Sequence, residues 1–170
     1  MSESPLEQVL SQRRSAREAV VDVEEESSKL VVFALGEQRY AFAGSSVAEV
    51  LGARKIFAVP GCPASLVGVI NVRGEIESVI RLHELLGMAV ADARSDTPIL
   101  LGRGRTMRSG ILVDRVIDVV DVLASNILPP PSTLSAHLKG LVTGAVELAG
   151  QTVTLLDMDQ ALSHYSAGSG

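Results

Sequence analysis

The chain has 170 residues, 46% of them hydrophobic, which is enough for one domain with a real core or for two small units sharing one. Fifteen basic residues against 20 acidic give a net charge of -5, and the sequence has no basic run and only 3% aromatics. That balance argues against a surface built to neutralise phosphates, so nucleic acid is excluded as a partner.

Residues 1–28 form an N-terminal extension. Ser4-Pro5-Leu6-Glu7 has the form of a capping box with proline at the first helical position, and Leu6, Val9 and Leu10 follow at helical spacing. A short amphipathic helix is expected, with Gln12, Arg13, Arg14 and Arg17 on its other face and a charged linker over 24–28. The segment is either a solvated extension or a docking element. No stretch approaches the length of a membrane span, and the first residues lack the basic and apolar regions of a signal peptide. A cytoplasmic protein without direct membrane insertion is expected, and a lone cysteine, Cys62, fits a reducing compartment.

From Lys29 the pattern becomes β. Residues 30–35 and 39–43 flank Gly36-Glu37-Gln38 as a hairpin, and 47–51 is a further strand. After the turn-rich Pro60-Gly61-Cys62-Pro63, residues 67–72 and 76–80 form a second hairpin, then a helical turn carries Leu82, Leu85 and Leu86 and ends at Gly87. Residues 89–96 read as a connection. The plan then repeats: 99–101 and 109–113 flank a glycine-bearing turn, 116–122 continues, Leu128-Pro129-Pro130-Pro131 breaks the pattern, and 142–148 with 152–156 form a hairpin. Gly68 aligns with Gly140, an offset of 140 − 68 = 72, whereas Leu82 aligns with Met158, an offset of 158 − 82 = 76. The difference places about four extra residues in the second hairpin. Two related subdomains are expected within a domain spanning 29–164, one over about 29–88 and one over about 97–164, with a tail at 165–170. Short dense strands favour small closed barrels, and strands apolar on both sides favour barrel packed on barrel. The fold class is all-β, with a few short helices.

Nothing in the sequence assembles a catalytic or metal-binding constellation. His83, His137 and His164 lack nearby ligands at metal spacing, and Cys62 sits in a turn with no neighbouring base. The segment 102–110 carries glycines and three arginines but lacks the lysine and hydroxyl pair of a phosphate loop, so it reads as a basic hairpin tip able to meet an acidic surface. Glu75 and Glu77 fall on one face of an alternating strand, with Ile76 pointing the other way; an exposed face, a salt bridge or a partner contact would each account for the pair. Arg73, in Gly68-Val69-Ile70-Asn71-Val72-Arg73-Gly74, follows a buried strand at a turn that Asn71 and Gly74 suit. It is either a solvated turn residue or a guanidinium presented at a barrel rim, where its planar fork matches a carboxylate.

Lys29-Leu30-Val31-Val32-Phe33-Ala34-Leu35-Gly36, Tyr40-Ala41-Phe42, Val47-Ala48-Glu49-Val50, the Asn71-Val72-Arg73-Gly74 element and Leu141-Val142-Thr143-Gly144 together resemble the CheW family of bacterial chemosensory coupling proteins. The resemblance spans about residues 29–164. It implies two five-stranded SH3-like barrels around a shared core, no catalysis and no cofactor. The implied role is to link the cytoplasmic helical hairpin of a chemoreceptor, a methyl-accepting chemotaxis protein, to the regulatory domain of a CheA-type histidine kinase, at membrane-associated receptor arrays. It further implies a partner-binding surface containing Arg73 with Glu49 as ionic neighbour, Val47, Val50 and Asn71, and it puts Ile76 nearer the core of the first barrel. The same role in a pathway controlling pili, surface sensing or second messengers is the alternative, and a ligand-binding β-barrel a remote one. Where the family often has proline and an acid, this chain has Ser78 and Arg81.

Overall fold

The computed structural model describes Leu6 and residues 26–61, 65–88 and 97–168. The N-terminal extension other than Leu6 and residues 26–28, the connection at 89–96, Cys62 and the end of the tail lie outside the described residues. Among the described residues ten strands run in chain order as β1 (Ser27–Leu35), β2 (Gln38–Ala43), β3 (Val47–Leu51), β4 (Leu66–Val72), β5 (Glu75–Arg81), β6 (Ile99–Arg103), β7 (Arg108–Leu112), β8 (Arg115–Leu123), β9 (Val142–Leu148) and β10 (Gln151–Leu156), followed by a helix, α1 (Met158–Gly168).

The strands form two five-stranded sheets, ordered β8-β1-β2-β10-β9 and β3-β6-β7-β5-β4. Adding five to each strand number, and counting past ten from one again, converts the first order into the second. The strand plan therefore repeats, with its two runs of five strands interleaved between the sheets. Each sheet takes the opening hairpin of one half and the last three strands of the other, joined by the parallel pairs β2·β10 and β5·β7. The expected division at about 29–88 and 97–164 thus does not separate the two sheets. Local turn chemistry fixes hairpins, whereas the partner of a hairpin's outer edge is set by long-range packing.

Among the described residues, each sheet closes through an isolated bridge. Beyond β3 the chain curls back to β4, where Phe57 and Val69 exchange two backbone hydrogen bonds of 2.8 and 2.9 Å. Beyond β8, Leu128 and Ala145 of β9 do the same, at 2.8 and 2.9 Å. A glycine beside each bridge permits the approach: a Cβ on Gly68 would lie 2.3 Å from the Phe57 carbonyl oxygen, and one on Gly144 would lie 2.6 Å from that of Leu128. Gly68 is thus the counterpart of Gly144, an offset of 144 − 68 = 76, and not of Gly140. The offset equals that of Leu82 and Met158, and both hairpins turn through two residues, at 73–74 and 149–150. The four extra residues expected in the second hairpin lie before β9 instead.

Burial on both faces of the strands has a direct cause. In β1, Leu30 and Val32 point into their own barrel, with Val122, Val146, Val153 and Leu155, while Val31, Phe33 and Leu35 point into the space between the barrels. In β6, Ile99 and Leu101 line the second barrel, with Leu51, Ile70, Val72, Val79 and Leu112, and Leu100 faces the shared core. That core also takes Phe42, Ile80, Ile111, Leu156 and Leu162, with Phe33 stacked on Phe42 at 5.3 Å between ring centroids. Both barrel interiors are filled by aliphatic side chains, which gives the remote ligand-barrel reading no support.

Candidate functional site

The hairpin β4–β5 turns through Arg73 and Gly74, with φ of 53° and 88°. Left-handed backbone at both central residues is the turn that matches strand twist, and glycine takes the second place at no steric cost. Asn71 accepts a hydrogen bond from the Gly74 amide through Oδ1 at 2.8 Å, and its own carbonyl accepts one from Arg54 Nη1 at 3.3 Å. The turn holds Arg73 at the mouth of the β3-β6-β7-β5-β4 barrel.

There the guanidinium meets Glu49 of β3. Nη1 donates to Oε1 at 3.1 Å and Nη2 to Oε2, so the contact is a two-pronged fork. A bulge between Val47 and Glu49 shifts the β3·β6 register and opposes Glu49 to Leu101. The side chains of Arg73 and Glu49 are 68% and 36% exposed. Exposed pairs contribute only about 0–1 kcal/mol to folding, so the fork does more to order a surface cation than to hold the barrel together.

Of the five residues expected at this surface, Arg73, Glu49 and Asn71 come together through these contacts, with Asn71 acting on the turn. Val50, the next residue along β3 from Glu49, is 43% exposed, whereas Val47 is half-buried and packs against the shared core. Ile76 corrects an expectation: it is 66% exposed and lies outside every core cluster. The register explains this, because Ile76 pairs with the exposed Asn71, while Glu77 pairs with the fully buried Ile70. Glu77 accordingly turns inward to 12% exposure and pairs with Arg108 at 3.4 Å, which selects the salt-bridge reading for that carboxylate; Glu75 is exposed.

Sequence reasoning passed over the segment between β3 and β4. Besides Arg54 it presents Phe57 and Val59, 50% and 39% exposed, with Lys55 Nζ 5.1 Å from the Phe57 ring centroid. The signal was available in Arg54-Lys55-Ile56-Phe57, which sets two cations beside an aromatic just before the proline-rich turn. The basic tip of β6–β7 is partly neutralised, since Arg105 pairs with Asp159 at 3.6 Å and Arg108 with Glu77.

Elsewhere, Ser78 shares a 2.8 Å hydroxyl contact with the fully buried Ser109, and Arg81 ends β5, where its amide donates to the Ser65 carbonyl. His83 is buried, with Nε2 4.0 Å from Asp114 Oδ1, and His137 is exposed. Burial pushes the His83 imidazole below its ordinary pKa; Asp114 opposes that shift and Arg81 adds to it. Burial raises the Tyr40 phenol, whose hydroxyl lies 3.7 Å from the Met88 sulfur. Among the described residues no group of three His, Cys, Asp or Glu side chains is placed to hold a metal ion, and no helix is long and apolar enough to cross a membrane. The guanidinium–carboxylate fork thus lies beside exposed Val50 at the barrel mouth.

A family model described as the CheW-like domain matches residues 29–166. The chain is 30% identical over 145 residues to a probable chemotaxis protein CheW of Rhizobium etli, covering 85% of this chain and 94% of that one. It is 28% identical over 131 residues to the chemotaxis protein CheW of Rhizobium meliloti, covering 77% and 84%. Among solved structures it is similar to the scaffolding protein TtCheW from Thermoanaerobacter tengcongensis, with a TM-score of 0.68 and 28% identity over 76% of this chain and 88% of that one.

Proposed function

The chain belongs to the CheW-like domain family, and on that premise we propose that it is a noncatalytic adaptor coupling chemoreceptors to a CheA-type histidine kinase. The observation that carries the reading is the Arg73–Glu49 fork, an ordered ion pair on an exposed barrel mouth that folding does not require. Its partners are the regulatory domain of the kinase and the helical hairpin of the receptor, met on the cytoplasmic side at receptor arrays. The surface comprises Arg73, Glu49 and Val50, with Phe57 and the cations Arg54 and Lys55 on the adjoining segment. The adaptor transmits bias through binding alone: contacts that differ between the kinase's active and inactive arrangements shift their populations.

Reversal of charge at Arg73 tests this. Arg73→Glu places two carboxylates where the fork stood, and it should cut receptor and kinase co-purification and kinase activation while leaving the circular dichroism spectrum and urea midpoint close to wild type. Unchanged activation and unchanged co-purification would remove Arg73 from the partner surface. Repeating the pull-down with kinases and receptors of swimming, pilus and second-messenger pathways identifies which pathway the adaptor serves.

A further inference from the structure

The β4–β5 turn has a twin in the same molecule. By the offset of 76, Asn71, Arg73 and Gly74 correspond to Glu147, Ala149 and Gly150, and the second turn has φ of 52° and 77°. It closes on the same backbone without help from a side chain: Glu147 is exposed and makes no hydrogen bond to Gly150 among the described residues. The bond from the Gly74 amide to Asn71 Oδ1 is therefore not a requirement of this hairpin. Neither is the Arg54 contact to the Asn71 carbonyl, which grips the same residue from the segment after β3.

The Gly74 amide belongs to the peptide unit that follows Arg73. Fixing that unit fixes the direction in which the Arg73 side chain leaves the turn. A mostly exposed arginine otherwise samples many rotamers, and a partner would have to order it on arrival. We infer that Asn71 is a positioning residue and not a contact residue: with Arg54 behind it, Asn71 presets the Arg73 guanidinium onto Glu49 before any partner binds. The inference rests on the partner surface proposed above, but its first test does not.

That test is the side-chain order of Arg73 in the free protein, read from the 15Nε relaxation of its guanidinium. Asn71→Ala should lower that order. Asn71→Asp, which keeps an oxygen to accept the Gly74 amide, should retain it, and Glu147→Ala at the twin position should leave it unchanged. Wild-type order in Asn71→Ala, or loss of order in Asn71→Asp, overturns the inference. The second test is affinity for kinase and receptor. Asn71→Ala should bind about threefold to tenfold more weakly, the range set by loss of one hydrogen bond, and Asn71→Asp within about twofold of wild type. In an Arg73→Ala background, Asn71→Ala should add nothing, whereas a further loss there would show that Asn71 itself touches the partner and would overturn the assignment. If Arg73→Ala alone leaves binding intact, the partner surface fails, and the relaxation measurement still decides whether Asn71 orders the arginine.

Discussion

Arg73-Gly74 and Ala149-Gly150 occupy the same place in the two interleaved halves and share one backbone, yet one turn presents a cation forked onto a carboxylate and the other a methyl group. Gly68 and Gly144, the closure glycines, are by contrast the same residue in both halves, because a carbonyl oxygen occupies the space that a side chain would need. The difference separates positions that the barrel dictates from positions it leaves open. Where both halves carry the same residue for the same steric reason, the fold accounts for it. Where they diverge on an identical backbone, the side chain has another task, and Arg73 is the clearest such residue. The exposed bridge residues Phe57 and Leu128, 50% and 57% exposed, diverge in the same way.

The comparison breaks first at the closure glycines. Gly68→Ala and Gly144→Ala should each destabilise the protein by about 1–3 kcal/mol in urea melts, as overpacking does. Gly68→Ala should cost more, since its added atom meets a carbonyl at 2.3 Å against 2.6 Å in the twin. Equal and negligible losses would show that the bridges do not hold the barrels closed. A smaller effect separates the turns. Ala149→Gly relieves a left-handed non-glycine residue and should gain up to about 1 kcal/mol. Arg73→Gly relieves the same strain but loses the fork, so its gain should be smaller by about 0–1 kcal/mol. A larger gain at 73 than at 149 would mean that the ion pair opposes the native turn.

The smallest effect concerns the residues that follow β5 and β10, where His83 and Asp159 correspond. The folded pKa of His83 lies below its unfolded value, so folding favours the neutral imidazole. The resulting stability is complete above the unfolded value of about 6.5 and is lost as pH falls from there towards the folded pKa. Exchanging His83 for Gln, which does not titrate, should flatten that part of the stability curve. A slope equal to wild type below pH about 6.5 would show that other groups cause it.

Strands, hairpins and the shared core were largely legible because each rests on local chemistry. The apolar runs at 66–70 and 111–113 mark strands with two buried faces, and Asn71 with Gly74 marks the turn that bears Arg73. The exchange of hairpins between sheets was not legible, since Val153 beside Arg39 and Val79 beside Gly110 pair strands that are not neighbours in the chain, which no local pattern encodes. Ile76 was misplaced for a related reason. Alternation says that Glu75 and Glu77 share a side, but only the register against Ile70 and Asn71 says which side faces water. The Glu49 partnership came from the family resemblance, because the fork joins residues 24 positions apart across a barrel mouth.

Interleaving also governs how the chain is made. A polypeptide leaving the ribosome amino end first holds β3, β4 and β5 without the central hairpin they require until Leu112 has emerged. The sheet that contains β1, the first of the described strands, is the later of the two to be completed, because β10 ends at Leu156. The outer backbone edge of β2, with its unpaired N–H and C=O groups, must therefore wait until residues 153–156 have emerged. A chain that stops translation before β10 exposes that edge, and such truncation products should be handled by chaperones and proteases as unfinished protein, not as a smaller working adaptor.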